Sequence, residues 1–294
     1  MDHRPALLIL LKQRLATLLD AIPAAQGGDM RSVHQARVAT RRLREAIPVL
    51  RASLNERALA RAERQVRKMT RALGPVRELD VSLAHLDELA THHLVSVRAL
   101  SRLRQAMSRE RFVRRRELLA AITPGKMERL RERLGRAGDG ERPAQSAGVG
   151  TEARAQVAKR AGRLAAAVEQ AGSLYLPDRL HTVRIAAKKL RYALEIQREL
   201  KRSKSTARVT QLKRLQDLLG RMHDLEILID RTRRLQAEIA SSDRTLTLEL
   251  DTIIRTLEAE CRASHATYMR RRGSVLKLCQ ALAGENDTVS PAVA

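Results

Sequence analysis

Two segments of the chain carry the same arrangement of one histidine and four basic residues. His34 is followed by basic residues at positions +3, +7, +8 and +10, and His181 is followed by basic residues at the same four spacings. The first segment reads HQARVATRRLR and the second reads HTVRIAAKKLR. Arginine and lysine donate charge-assisted hydrogen bonds, and the planar guanidinium fork fits two phosphate oxygens at once. These residue types therefore favour the binding of phosphate-like anions.

Each segment divides into a basic and an apolar face when it is placed on an α-helix, where successive residues are about 100° apart. The first cationic row consists of His34, Arg37, Arg41 and Arg44, with Arg42 to one side. The second cationic row consists of His181, Arg184, Lys188 and Arg191, with Lys189 to one side and Tyr192 near its middle. No acidic residue interrupts either row, although like charges at these spacings repel one another on an isolated helix. We infer that the compensating charge is external phosphate, and three helical turns, about 15 Å, suit a linear chain of phosphates.

The two rows belong to a longer internal repeat. His34 and His181 lie 147 residues apart, and the same offset relates Lys12 to Lys159. A downstream block repeats with an offset of 146 residues, since Leu73-Gly74 with Glu78 matches Leu219-Gly220 with Asp224. Two aligned copies in the same order favour duplication of one unit. The simplest architecture is two helical halves related by a pseudo-twofold axis.

The elements that position these residues are predicted to be helices throughout. Only 1% of the 294 residues are aromatic, and the apolar residues recur with helical spacing along the chain. Gly74-Pro75 is predicted to separate a helix at 56–73 from one at 77–91, and the second half is predicted to break between 205–219 and 225–240. No stretch has the alternation of a β-strand.

Composition also predicts where the halves begin and end. Residues 135–150 are rich in glycine, alanine and proline and lack an apolar period, so they are interpreted as a linker. The first helical half is then expected at 4–134 and the second at 151–283. Residues 284–294 are expected to form a flexible tail.

Net charge limits the classes of partner. The chain has 57 Lys and Arg against 33 Asp and Glu, a formal net charge of +24, which favours nucleic acid, anionic membrane or polyphosphate. The apolar run Ala6–Leu11 is too short to cross a bilayer and is interpreted as helix core, so no membrane partner is expected. Cys261 and Cys279 form no disulfide or zinc pattern, and a cytoplasmic location is expected.

At these segments the chain resembles the CHAD family, the conserved-histidine α-helical domains, over about residues 4–283. The resemblance covers both histidine segments and the blocks LGPVRELDV and LQDLLGRMHDLEIL that follow them. It implies an all-α fold of two antiparallel bundles, each with four or more helices, around a central basic channel. It also implies binding of inorganic polyphosphate, association with polyphosphate granules, and contact with polyphosphate-metabolising enzymes.

The resemblance also assigns roles to residues. The implied polyphosphate-binding residues are His34, Arg37, Arg41, Arg42, Arg44, His181, Arg184, Lys188, Lys189 and Arg191, with Lys68 and Arg214 supporting them at the channel wall. A wider set, from the repeat and from further basic rows, comprises Lys12, Arg64, Arg71, Lys159, Tyr192 and Lys213. No catalytic residue, metal or cofactor is expected, and the protein is not expected to be an enzyme.

Other interpretations of the same residues remain open. His34 and His181 as metal ligands or phospho-acceptors are disfavoured by the basic residues around them and by the lack of a nucleotide-binding loop. The carboxylate pairs Glu78/Asp80 and Asp224/Glu226 are interpreted as salt-bridge or capping residues rather than metal ligands. His223 beside Asp224 is interpreted as incidental.

Nucleic acid is the main alternative ligand. Phosphate contacts alone would give sequence-independent binding that weakens with salt, and some weak binding of this kind is expected from the charge. The chain lacks the aromatic residues on which single-stranded bases stack, and it carries no recognisable groove-reading motif.

Overall fold

The computed structural model describes residues 4–50, 54–92, 95–138, 146–201, 206–239 and 242–287. The helices are α1 (Arg4–Gly27), α2 (Met30–Leu50), α3 (Glu56–His92), α4 (Val97–Ala121), α5 (Pro124–Gly135), α6 (Ser146–Ala171), α7 (Pro177–Lys201), α8 (Ala207–Ile239) and α9 (Arg244–Asp287), with a 3-10 turn at Arg136–Gly138. Within those ranges there is no strand, which confirms the predicted all-α class. None of the described helices is long and apolar enough to cross a bilayer.

Helices α3 and α8 are longer than predicted. The prediction that Gly74-Pro75 ends a helix is wrong, because α3 runs for 37 residues with Pro75 inside it. Leu73 and Val76, on either side of Gly74-Pro75, are both fully buried. The burial of these two residues against neighbouring helices therefore outweighs the free-energy cost of a proline inside a helix. The predicted break in the second half is also wrong, since α8 continues through Gly220.

The predicted linker at 135–150 is largely structured. Residues 136–138 form the 3-10 turn and α6 already begins at Ser146, so only 139–145 lie outside the described residues. Ala137 is fully buried in the first core, and its carbonyl accepts a 3.0 Å hydrogen bond from the Asn55 amide. Of the predicted tail, 284–287 belong to α9, and 288–294 lie outside the described residues.

Three hydrophobic cores hold the helices together. The first joins α1, α2, α5, the first half of α3 and the end of α4, and it includes Leu18, Leu43, Val66 and Leu130. The second joins α6, α7, the first half of α8 and the second half of α9, and it includes Leu164, Leu190, Leu215 and Tyr268. The third lies between them and joins the remaining parts of α3, α4, α8 and α9, with Leu86, Leu103, Leu228 and Ile253. The long helices thus run through both an end core and the middle one.

Crossed ion pairs join the two halves at the motif helices. Arg14 of α1 donates to the Arg42 carbonyl at 2.8 Å and to Glu199 of α7 at 2.9 Å. Arg160 of α6 donates to the Lys189 carbonyl at 2.7 Å and pairs with Glu45 of α2 at 3.0 Å. Each arginine therefore binds a motif helix in its own half and a glutamate in the other. This arrangement places α2 opposite α7 and is compatible with a pseudo-twofold relation, while the duplication itself stays a prediction.

Candidate anion-binding site

The cationic rows of α2 and α7 lie between the halves because their opposite faces are buried. Ala36, Leu43 and Ile47 of α2 and Val183 and Leu190 of α7 are fully buried in the two end cores. The apolar periodicity thus determines which face of each helix packs against its core. The basic faces of α2 and α7 therefore lie opposite each other.

A cavity of about 610 Å³, here called the central cavity, lies among α2, α3, α7 and α8. Seven basic side chains line it: Arg41, Arg42, Arg77, Arg184, Lys188, Arg191 and Arg221. Three carboxylates also line it, those of Glu88, Asp217 and Asp224, together with His34, His85 and Tyr192. The lining therefore carries an excess of positive charge, which favours anions over cations.

Four side chains form the cationic centre of the site: Arg41, Arg184 and Lys188, which line the central cavity, and Arg37, which lies close to Arg184 and Lys188 but outside that lining. All four are half-buried, and none of them forms an ion pair with a described carboxylate. Burial, followed by the charges of Arg41 and Arg184, lowers the pKa of Lys188 to about 7. The pKa of Arg37 is lowered by burial and then by Arg184, and its Nε finds no hydrogen-bond partner among the described atoms. The centre therefore holds positive charge at a cost that an anion would relieve.

Tyr192 organises one wall of the central cavity. Its side chain is buried, and the guanidinium carbons of Arg41 and Arg191 lie 5.7 and 4.7 Å from its ring centroid. These distances are within the range of cation–π attraction. Burial lowers the pKa of Arg41 to about 10. Arg191 is also held by Glu195 at 2.7 Å and by Gln216 at 2.9 Å, so part of its donor capacity is used within the protein.

Two cations of the cavity were missed in the sequence. Arg77 of α3 lines it and lowers the pKa of His34, after the larger effect of burial. Arg221 of α8 lines it too and is held by Glu88 at 2.9 Å and Glu260 at 2.8 Å. Both stand in the repeated Leu-Gly blocks, Arg77 three residues after Gly74 and Arg221 directly after Gly220. Their basic residues were the available signal.

The two repeated histidines have different surroundings. His34 lines the central cavity, whereas His181 lines a separate cavity of about 460 Å³. There the Nδ1 atoms of His181 and His223 lie 3.2 Å apart, so His223 is a contact of the motif and not incidental. Burial, followed by Arg184, lowers the pKa of His181 and lowers that of His223 to about 4. Both rings are thus neutral near pH 7.

The remaining predicted residues lie away from the cationic centre. Arg42 is exposed at the edge of the central cavity, and Arg44 is half-buried near Lys188 and lowers its pKa. Lys12, Arg71, Lys159, Lys189 and Lys213 are exposed and do not line the central cavity. Lys68 and Arg214, expected at the channel wall, are also exposed and outside its lining. Lys68 and Arg64 instead line a pocket between α3 and α5, because α3 turns that face away from α2.

The acidic blocks mostly form ion pairs. Asp80 is fully buried and accepts from Arg111 Nε at 2.6 Å, and Glu78 accepts from Arg231 at 2.9 Å, which confirms the salt-bridge interpretation for these two. Glu226 accepts from the Tyr175 hydroxyl. Burial raises the pKa of Asp224, against the opposing effect of Arg184. No group of three His, Cys, Asp or Glu side chains placed to hold a metal occurs in the described part of the chain.

Comparison with known proteins places this geometry in a family. The CHAD domain family model matches residues 9–233. The crystal structure of the CHAD domain from the plant Ricinus communis superposes with a TM-score of 0.63 and 20% identity, covering 96% of this chain and 92% of that chain. PptA from Streptomyces chartreusis superposes with a TM-score of 0.57 and 15% identity, covering 97% and 99%. At these identities both structures show the fold alone, and no curated protein sequence matches the chain. Since the family model spans most of the chain, the protein belongs to the CHAD domain family.

Proposed function

We propose that the protein binds inorganic polyphosphate in the central cavity and does not transform it. The observation that carries the proposal is the cationic centre, in which four half-buried basic groups from α2 and α7 meet without an ion pair to a described carboxylate. CHAD domains associate with polyphosphate as a family. Association with polyphosphate granules is the consequence that such binding would have in a cell.

The free energy of binding comes from relief of repulsion as well as from new contacts. The charges of Arg37, Arg41 and Arg184 oppose protonation of Lys188 in the free protein. A phosphate chain between the rows would favour the protonated lysine and would supply an acceptor for the Arg37 Nε. Charge-assisted hydrogen bonds of this kind are stronger than neutral ones. Binding and the charge state of the site are therefore coupled.

The shape of the cavity favours a bare phosphate chain over nucleic acid. The cavity lies between helices on two sides, and a B-form duplex, whose major groove alone is about 12 Å wide, is too large to enter it. Single-stranded nucleic acid would need an exposed aromatic ring for stacking. Tyr192 is the one Phe, Tyr or Trp side chain in the described lining, and it is 4% exposed and already in contact with Arg41 and Arg191.

Binding rather than catalysis agrees with the engagement of Glu88, one of the three carboxylates in the lining. Glu88 accepts from Arg221 and contacts His85 Nδ1 at 3.2 Å. Burial acts to raise the pKa of Glu88, but hydrogen bonds from Arg221 and His85 outweigh it and lower the pKa, so this carboxylate is a poor proton donor near neutral pH.

The first experiment compares two double variants with equal loss of charge. Arg37→Ala/Arg184→Ala removes one cation from each row, and Arg102→Ala/Arg255→Ala removes two exposed arginines that do not line the cavity. Labelled long-chain polyphosphate is titrated at physiological salt, with duplex DNA and single-stranded RNA as competitors. We expect the first variant to lose more than about 100-fold in affinity, since two hydrogen bonds to charged groups contribute roughly 1.5–3 kcal/mol each, and the second to change little.

Two results would overturn the proposal. Equal affinities of the two double variants, with far-UV circular dichroism showing both folded, would remove the cationic centre from the binding site. Competition by duplex DNA or RNA at equal phosphate concentration would make the protein a general polyanion binder, with nucleic acid as its leading ligand.

A further inference from the structure

A second cationic pocket lies on the outside of the first half, away from the central cavity. It is here called the α3–α5 pocket and measures about 460 Å³. Six basic side chains line it: Arg61, Arg64 and Lys68 from α3, and Lys126, Arg129 and Arg133 from α5. The seventh lining residue is Gln65, and no described carboxylate contributes to the lining. The central cavity, by contrast, includes three carboxylates.

The floor of the α3–α5 pocket is fixed by hydrogen bonds. The half-buried Gln65 donates through Nε2 to the Lys126 carbonyl and accepts through Oε1 from Arg133 Nη1 at 2.6 Å. The Lys126 ammonium donates to the carbonyls of Ala120 and Ala121, at 3.1 and 3.0 Å, at the end of α4. One glutamine and one lysine thus tie three helices together beneath the pocket. The basic side chains above it therefore project from a fixed base.

Four cations of the pocket have no acidic partner among the described side chains: Arg61, Arg64, Lys68 and Arg129. Two glutamates beside these cations in the sequence are engaged elsewhere, since Glu63 is buried against Arg67 and Glu128 pairs with Arg131 at 3.6 Å. The half-buried Arg114 on α4 differs from these four, because it binds Glu117 at 3.1 Å. The pocket therefore concentrates positive charge that no described carboxylate in its lining neutralises.

We propose that the α3–α5 pocket is a second anion-binding site, which takes a short, multiply charged phosphate group independently of the central cavity. Arg61 to Lys68 spans about 10 Å of helix, shorter than the roughly 15 Å of each cationic row, so the pocket suits a few linked phosphates. Guanidinium groups from two facing helices can bind such a group from both sides. The same chemistry is presented by a free oligophosphate and by the end of a long polyphosphate chain.

The second half offers a matched reference surface. Gln211, 146 residues after Gln65, donates to the Ser274 carbonyl of α9 at 3.2 Å in the same way. Arg214 lies 146 residues after Lys68 and takes its place. Because Ser274 takes the place of Lys126, Lys277 takes the place of Arg129, and both Arg214 and Lys277 are exposed. The places of Arg64 and Arg133 are taken by Thr210 and Ala281, so the surface has fewer cations. The reference surface therefore keeps the hydrogen bond from glutamine to a backbone carbonyl but carries less positive charge than the α3–α5 pocket.

The experiment is calorimetric titration of the full chain with tripolyphosphate at physiological salt. Lys68→Ala/Arg129→Ala removes two cations from the pocket, and Arg214→Ala/Lys277→Ala removes two from the reference surface. We expect two classes of site in the unaltered chain. The pocket variant should lose one class, by tenfold or more in affinity, while the reference variant should keep both.

A third variant separates this proposal from the proposed function. Arg37→Ala/Arg184→Ala should remove the other class and leave the pocket intact, and a failure there would concern the central cavity alone. Repeating the titrations with long-chain polyphosphate distinguishes the two sources of ligand: loss with tripolyphosphate indicates a free oligophosphate site, and loss only with the long chain indicates a site for its end. Equal binding by the pocket and reference variants, with both folded, overturns the proposal.

Discussion

The two halves present the same basic helix to one cavity but complete it with different chemistry. Beside His34 stands Arg77, whereas the residue 146 positions later is His223, which contacts His181 instead of the central cavity. Arg41 corresponds to Lys188, and their pKa values are lowered to about 10 and about 7. The first half therefore supplies permanent cations and the second supplies one that titrates near neutral pH. Repetition of a pattern does not mean repetition of its electrostatics.

The acidic blocks differ in the same way. In the first half, Arg111 bridges the buried Asp80, at 2.6 Å, to the Gly28 carbonyl, at 2.8 Å, in the turn between α1 and α2. Gly28 has a φ of +93°, which a residue with a side chain rarely adopts. In the second half, Tyr175 after α6 donates its hydroxyl directly to the half-buried Glu226. The carboxylate of Asp80 is thus held by an ion pair, whereas that of Glu226, 146 residues later, is held by a single hydroxyl.

The largest expected effect comes from breaking these two contacts. Arg111→Ala leaves Asp80 buried without its partner, and should lower the free energy of unfolding by about 3–5 kcal/mol, more than a hundredfold in the folding equilibrium. Tyr175→Phe should cost only about 1 kcal/mol, because water can reach Glu226. Urea denaturation followed by circular dichroism measures both. Equal losses in the two variants would mean that the halves are stabilised alike.

The sequence predicted the features that depend on local periodicity. The spacing of apolar residues on α2 and α7 is a property of each helix alone, so both rows and their inward direction could be predicted. Arg77 could not be placed, because its approach to His34 depends on how α3 crosses α2. The prediction for Lys68 is wrong for the same reason, since its side of α3 lies next to α5 and not at the central cavity. The local pattern thus predicts which face of a helix is buried but not which helix packs against it.

Helix ends show the same division between local and tertiary effects. Gly74-Pro75 is a strong local signal for a helix end, yet the burial of Leu73 and Val76 keeps α3 continuous. His223 carried no local signal at all, since its contact with His181 is made across 42 residues of chain. Such pairings become visible only when α7 and α8 are packed together.

The second prediction concerns the pH dependence of binding, where Arg41 and Lys188 differ. Because the pKa of Lys188 is about 7 in the free protein, an anion that needs its charge should bind about tenfold more weakly at pH 8 than at pH 6. The pKa of His34 is lowered by burial and by Arg77, so it adds little above neutral pH. Lys188→Arg should flatten the profile, and Arg41→Lys should add a second titration. A flat profile for the unaltered chain would exclude Lys188 as a ligand.

The same lysine should have the opposite effect on folding without ligand. Its pKa falls from 10.5, the ordinary lysine value, to about 7 on folding, so the unfolded chain binds more protons between these pH values. The free energy of unfolding should therefore rise as the pH increases from 7 towards 10.5, and the full penalty should remain below pH 7. Lys188→Met should remove this rise. Saturating polyphosphate should also reduce it, because the bound lysine stays protonated.

The smallest expected effect distinguishes the two repeated histidines. His34 lines the central cavity and can donate one N–H to phosphate, so His34→Ala should weaken polyphosphate binding by about threefold, the effect of one neutral hydrogen bond. His181 lines the other cavity against His223, so His181→Ala should leave the affinity unchanged at pH 7.5. Both positions lie on helices that tolerate alanine, which keeps the comparison free of a fold defect. A larger loss of affinity for His181→Ala than for His34→Ala would place the phosphate chain on the side of the second cavity. His181, rather than His34, would then be the histidine that contacts the phosphate chain.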